Sequence, residues 1–193
     1  MSVKRVPAHP DIERVLLGKA EIGRRVAELG RRISRDYEGR DLMLVGILKG
    51  SVIFLGELMR AVRVDCSVDF MCVSSYSGKD STGVVRVLLD LRESAAGKDI
   101  LIVEDIVDTG LTLHYLLDNL RTRGPRSVEI CSFLSKPACR KVPVDVKYLG
   151  FDIPNEFVVG FGLDYNEKYR NLPYVGVLRQ ERPAGGRKKR AEG

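Results

Sequence analysis

Short apolar runs alternate with amphipathic stretches along most of this chain. Leu42–Leu48 is almost unbroken apolar, as are residues 100–103, and residues 128–134 predict a further strand. Runs of that length suit strands buried on both faces. Residues 67–74 alternate instead, with Val68, Phe70 and Cys72 on one side, and residues 84–89 are again strand-like. Residues 146–150 and Val175–Leu178 predict two more short strands. Helical spacing appears in Ile22, Val26, Leu29 and Ile33, predicting a helix over 11–37 with Asp11 as its cap. Gly18 and Gly30 argue against an unbroken helix there. Arg24, Arg25, Arg31 and Arg32 fall mostly on its other face, as solvated charges. Val52, Ile53, Leu55, Leu58 and Met59 predict a second helix, and Leu113, Leu116, Leu117 and Leu120 a third. Strand and helix alternate from 42 to 134, which predicts an α/β fold with a parallel sheet flanked by helices.

The chemistry concentrates where residues 100–103 end. Two carboxylates, Glu104 and Asp105, are followed by Ile106 and Val107, then Asp108, Thr109, Gly110, Leu111 and Thr112, and the third helix begins. Gly110 permits close approach of backbone to a ligand. The free N–H groups at a helix start, with the hydroxyls of Thr109 and Thr112, can hold a phosphate. Three carboxylates beside a phosphate cradle would repel it unless they serve sugar hydroxyls or a metal ion. Asp-Thr-Gly alone would be an ordinary helix cap; the paired acids, the spacing and the Thr-Gly-x-Thr run together point to a site.

Residues 103–112 resemble the phosphoribosyl pyrophosphate (PRPP) loop of the type I phosphoribosyltransferases. Further stretches resemble the 6-oxopurine, or hypoxanthine-guanine, branch of that family, in its bacterial form, and the likeness spans roughly residues 10 to 180. Lys49 and Gly50 follow the first buried strand, where α/β folds bind ligands. The resemblance implies a cis peptide at Leu48–Lys49 beside pyrophosphate, and Ser51 stands where the family often has a second glycine. Ser75, Tyr76, Ser81 and Thr82 match a lid that would exclude water from an activated ribosyl centre; on composition, 75–83 is a long mobile hairpin loop. Lys136, at another strand end before Pro137, matches the lysine at the purine 6-oxo group, where a cationic donor disfavours an amino group. Phe157 matches the ring over the purine face, with Val158 backbone groups on the base edge. Stacking of this kind contributes about 1–3 kcal/mol. Phe161, by contrast, reads as plain core. Asp164 matches the carboxylate near the base edge and a metal, and Arg170 the pyrophosphate arginine.

The resemblance implies a parallel-sheet core over about 38–135 and a small hood subdomain from the N-terminal helix and the C-terminal segment, in one domain over 1–184. It implies transfer of 5-phosphoribosyl to N9 of hypoxanthine or guanine, giving IMP or GMP and pyrophosphate. Glu104 and Asp105 would hold the ribose hydroxyls. Mg²⁺ would bind through Glu104, Asp105 and Asp164. Asp108, Thr109, Gly110, Leu111 and Thr112 would cradle the 5′-phosphate; Lys49, Gly50 and Arg170 would face pyrophosphate. Asp108 would be the general base or acid at purine N7. The family is commonly dimeric or tetrameric, so a homo-oligomer is expected. Two rival readings are a PRPP-sensing regulator that binds nucleic acid and an enzyme of the same fold with xanthine or adenine as acceptor; Lys136 disfavours adenine.

Composition changes little of this. The 193 residues suit one domain, with 44% hydrophobic and 30% charged positions. The net charge is +6, of which Arg187, Lys188, Lys189 and Arg190 against Glu192 supply +3. Residues 185–193 read as a disordered basic tail, and no specific nucleic-acid partner is expected. With no signal peptide or membrane-length apolar run, a cytoplasmic protein is expected. Cys66, Cys72, Cys131 and Cys139 have no zinc-type spacing and read as small buried thiols of a reducing compartment. There is no Gly-x-Gly-x-x-Gly and no P-loop, so both of those nucleotide fingerprints are missing.

Overall fold

A computed structural model describes residues 9–75 and 85–179. Tyr76, Ser81 and Thr82 of the expected lid lie outside them, as does the tail. The chain runs β1 (Ile12–Leu17), α1 (Lys19–Asp36), β2 (Leu42–Leu48), α2 (Val52–Ala61), β3 (Cys66–Ser75), β4 (Val85–Leu89), β5 (Asp99–Val107), α3 (Leu111–Arg121), β6 (Ser127–Ser135), a 3₁₀ turn (Pro137–Cys139), β7 (Tyr148–Asp152), β8 (Val158–Val159) and β9 (Val175–Leu178). A six-stranded sheet has the order β4-β3-β2-β5-β6-β7. All its pairings are parallel except β3 with β4, which is antiparallel.

The apolar runs are buried on both faces because helices cover both. Leu44, Leu101, Val103 and Phe133 point to the side of α1 and α2. Their neighbours Met43, Val45, Ile100 and Ile102 point to the side of α3. This is the period of two that strands impose. Gly46 lets α2 settle close to β2, since a Cβ there would lie 2.7 Å from Leu55.

The helix expected over 11–37 is instead a strand and a helix. Ile12, Val15 and Leu16 fit helical spacing as well as a strand, and a six-residue run cannot separate the two. Pairing with β9 decides for the strand, and the helix starts after Gly18, so Asp11 is no cap. The smaller sheet, β1-β9-β8, therefore has β9 at its centre and β1 as one edge. Helix α1 packs on α2 and β7 and belongs to the main layers rather than to a hood. Its Arg24 and Arg31 are exposed. Arg25 and Arg32 are not simply solvated: their guanidinium groups lie over Phe151 and Tyr148. The strand expected at 146–150 sits two residues later. Of the four cysteines, all free thiols, only Cys131 is fully buried.

Asp69 is buried in β3 and accepts backbone N–H groups from Phe70, Arg92 and Glu93 at 2.8, 2.8 and 3.2 Å. Burial by itself would raise its carboxyl, but these three donors hold it below the usual carboxylate range. A lowered folded-state pKa means stability present above the unfolded value and lost as pH falls through the folded one. Asp69→Asn is expected to cost about 1–3 kcal/mol at pH 7. The gap in urea unfolding should close as the pH is brought below the carboxylate range.

Candidate active site

The paired acids stand within a strand rather than at its end. β5 continues through Glu104 and Asp105 to Val107, with Glu104 in register with Ser132 of β6. Asp105 Oδ1 accepts the N–H of Ile106 at 2.8 Å. Glu104 Oε2 is buried without a hydrogen-bond partner among the described residues. Burial, reinforced by the Asp105 charge, holds the Glu104 carboxyl well above the usual range. Burial raises Asp105 as well, opposed by the N–H of Ile106 and the charge of Arg170. The pair is therefore costly to the free protein. Glu104→Gln is expected to raise the melting temperature of the free protein by about 2–4 °C per kcal/mol relieved, while lowering turnover. A lower melting temperature would show that Glu104 stabilises the fold.

Asp108 is exposed and opens the turn into α3. Gly110, at φ 85°, caps the helix, so neither Asp108 nor Thr109 is the cap. A Cβ at Gly110 would lie 2.9 Å from the carbonyl of Val142 and 3.0 Å from the side chain of Val144. The 140–144 segment thus presses on the loop from behind, and Thr109 O accepts the N–H of Lys141 at 2.9 Å. Thr109 Oγ1 accepts the N–H of Leu111 at 3.4 Å. The first intrahelical bond is His114 to Gly110, which leaves the N–H groups of Thr112 and Leu113 free to point outward. A cavity of about 90 Å³ lies here, lined by Glu104, Asp108, Thr109, Gly110 and Thr112.

Two other strand ends complete the floor. Leu48–Lys49 is a cis peptide, as the resemblance implied. A Cβ on Gly50 would lie 1.6 Å from Asp105 Oδ2, and one on Gly162 2.1 Å from Gly50 O. The β2 exit is therefore clamped between Asp105 and the 160s segment. Beyond β6, the backbone N–H of Lys136 donates to Val107 O at 2.9 Å, which ties the exits of β5 and β6 together. Cys139 stands beside Asp108; desolvation first, and then that neighbouring carboxylate, raise the thiol.

The remaining residues lie on one irregular segment. Val158 is buried in β8 and pairs with Val177. Phe157 is 49% exposed, edge-on to Tyr165 at 5.5 Å. Phe161 is core as expected, 4.8 Å from Phe133 between ring centroids. Asp164 Oδ1 pairs with Arg170 Nη2 at 2.8 Å, and Arg170 Nη1 donates to Gly162 O at 2.7 Å. Glu167 reaches both Lys49 Nζ at 3.1 Å and Arg170 Nη2 at 3.6 Å. The structure therefore brings Asp164 to Arg170 rather than into a cluster with Glu104 and Asp105. Among the described residues no group of three or more His, Cys, Asp or Glu side chains gathers to hold a metal.

Sequence reasoning missed Glu167, Gly162 and Arg140. Arg140 lies 3.2 Å from where a Gly110 Cβ would stand and donates to Ser135 Oγ at 3.0 Å. Its Nη1 is buried without a partner among the described residues. Glu167 closes the Leu163–Glu167 run, which resembles the 6-oxopurine branch, but its reach to Lys49, like that of Gly162 to Gly50 and Arg140 to Gly110, spans the fold and has no local signal. Among the described residues, no helix is long and apolar enough to cross a membrane.

Residues 16–166 match the family model described as the phosphoribosyl transferase domain. A hypoxanthine-guanine phosphoribosyltransferase of Mycobacterium avium is 52% identical over 185 residues, covering 89% of this chain and 91% of its own. Its counterpart in Mycobacterium tuberculosis is 51% identical over 175 residues, covering 87% of each. A Staphylococcus aureus hypoxanthine phosphoribosyltransferase structure superposes with a TM-score of 0.86 at 48% identity, covering 89% of this chain and 94% of that one. The Trypanosoma cruzi enzyme, in complex with the product IMP, gives 0.86 at 43% identity, covering 91% and 99%. The acidic pair, the glycine-capped helix start and these likenesses agree: the chain belongs to the phosphoribosyltransferase family, in its hypoxanthine-guanine branch.

Proposed function

We propose that this protein transfers the 5-phosphoribosyl group of PRPP to N9 of hypoxanthine or guanine, forming IMP or GMP and releasing pyrophosphate, a purine-salvage reaction. The observation that carries the reading is the convergence of three strand exits. Glu104 and Asp105 stand in the second half of β5 and the Gly110 loop leaves it, Lys49 leaves β2, and Lys136 leaves β6. Ligands bind at that edge of parallel sheets.

The 5′-phosphate sits on the free N–H groups of α3 and the hydroxyls of Thr109 and Thr112, with Asp108, Gly110 and Leu111 completing the loop. Glu104 and Asp105 accept from the ribose hydroxyls. Lys49 and Arg170, with the backbone at Gly50, face the leaving pyrophosphate and offset its charge. Lys136 donates to the 6-oxo group, Phe157 stacks on the base and Val158 offers backbone groups to its edge. Asp108 exchanges a proton with purine N7.

The donor set fits Mg²⁺. A buried Glu104 oxygen without a partner beside a second carboxylate calls for a cation. Mg²⁺ takes few protein ligands and many from substrate phosphates. Glu104 and Asp105 would hold it, directly or through water, and Asp164, which pairs with Arg170 apart from them, would serve a second such ion; when bound the metal would stabilise negative charge on pyrophosphate. A cytoplasmic homo-oligomer, dimer or tetramer, completes the reading.

The test is a spectrophotometric assay with PRPP and Mg²⁺ against hypoxanthine, guanine, xanthine and adenine separately. Turnover with hypoxanthine or guanine that disappears on chelation is the expected result. Tight PRPP binding without turnover on any base would overturn it in favour of a PRPP sensor.

A further inference from the structure

Lys49 and Arg170 share one internal counter-anion. The Glu167 carboxylate lies 3.1 Å from Lys49 Nζ and 3.6 Å from Arg170 Nη2. It is brought there by a tight reversal in which Asn166, Glu167 and Tyr169 take left-handed φ values of 51°, 61° and 75°. The reversal is closed by a bridge between Tyr165 and Lys168. The backbone N–H of Glu167 donates to Asp164 Oδ2 at 2.9 Å, so the carboxylate that pairs with Arg170 also fixes the backbone of Glu167. The Glu167 side chain is nonetheless 66% exposed, with open solvent to turn into.

We propose that Glu167 is a positioning residue that competes with pyrophosphate for Lys49 and Arg170, holding both cations toward the site before PRPP arrives and repelling pyrophosphate so that it leaves. The inference rests on the assignment of those two cations to pyrophosphate. A carboxylate and a phosphate oxygen use the same donors on lysine and arginine. When pyrophosphate occupies the position, Glu167 becomes a like charge beside it and must turn outward. A residue that only braced the reversal would instead affect all ligands alike.

The experiment is isothermal titration of magnesium pyrophosphate and, separately, IMP into the full chain, its Glu167→Gln and Lys49→Met variants and the double variant. Exposed charge pairs are weak and screened by solvent, so the expected change is about three- to fivefold. Glu167→Gln should tighten pyrophosphate by about that factor and leave IMP unchanged, and Lys49→Met should weaken pyrophosphate and remove most of the gain. Unchanged or weaker pyrophosphate binding in Glu167→Gln, with Lys49→Met still impaired, overturns the role of Glu167 and leaves the site assignment standing. Unchanged pyrophosphate binding in Lys49→Met overturns the assignment, and this inference with it.

Discussion

Replacing Asp108 with Asn is expected to lower kcat by about 10²–10⁴-fold while leaving the KM for PRPP nearly unchanged. Asp108 is the first residue after β5, exposed at the mouth of the loop, on the Lys136 side of the site. Asn keeps the shape and the backbone and removes the proton acceptor. The measurement is steady-state kinetics with hypoxanthine at varied PRPP. An effect on kcat alone marks an interaction made in the transition state. Equal losses in kcat and PRPP affinity would make Asp108 part of the phosphate loop and nothing more.

The second large effect is expected at Gly50. Gly50→Ala should cost about a hundredfold in kcat/KM. Its backbone does not demand glycine; its space does. The added methyl would meet the Asp105 carboxylate at 1.6 Å, while Gly162 closes the other side. The softest response is to push Asp105 off its position, and an error of about 1 Å at a catalytic site is enough for such a loss. Kinetics and thermal unfolding together decide the case. Near-normal unfolding with collapsed activity is the expected pair; near-normal activity would mean that the Asp105 carboxylate can move without consequence.

The parts of the fold that could be read from sequence are those whose signals are local. Residues 42–48 and 100–103 are strands because nothing else buries such a run on both faces. Residues 103–112 are legible as a site because acids, glycine and hydroxyls fall at set intervals, although only 108–110 form the turn between β5 and α3. The misreadings have the opposite cause. Ile12–Leu17 is a strand only because Val175–Leu178 lies beside it, a partner far along the chain. Arg25 and Arg32 looked solvated because their aromatic partners on β7 are equally remote. In the site, Asp108, Lys136 and the acidic pair stand in motifs. Glu167 matters through Lys49, 118 positions away, and Gly162 through Gly50. Glycine at 50 was legible as a turn residue, yet its reason is a carboxylate from another strand.

The pairing of β1 with β9 also sets an order of assembly. Tyr174 Oη accepts the N–H of His9 across 165 positions, and β8 is joined to β1 only through β9. Contacts of that span form late, because the loop they close is nearly the whole chain. On the ribosome, β2, β3, β5 and β6 can pair while the last stretch is still being made. The Gly110 loop can therefore form before Val158 is held in its sheet. A chain halted before Val175 would keep the strand exits of the main sheet and lack the strand that holds Val158, so on the proposed reading the edge offered to the base is the last part of the site to be completed.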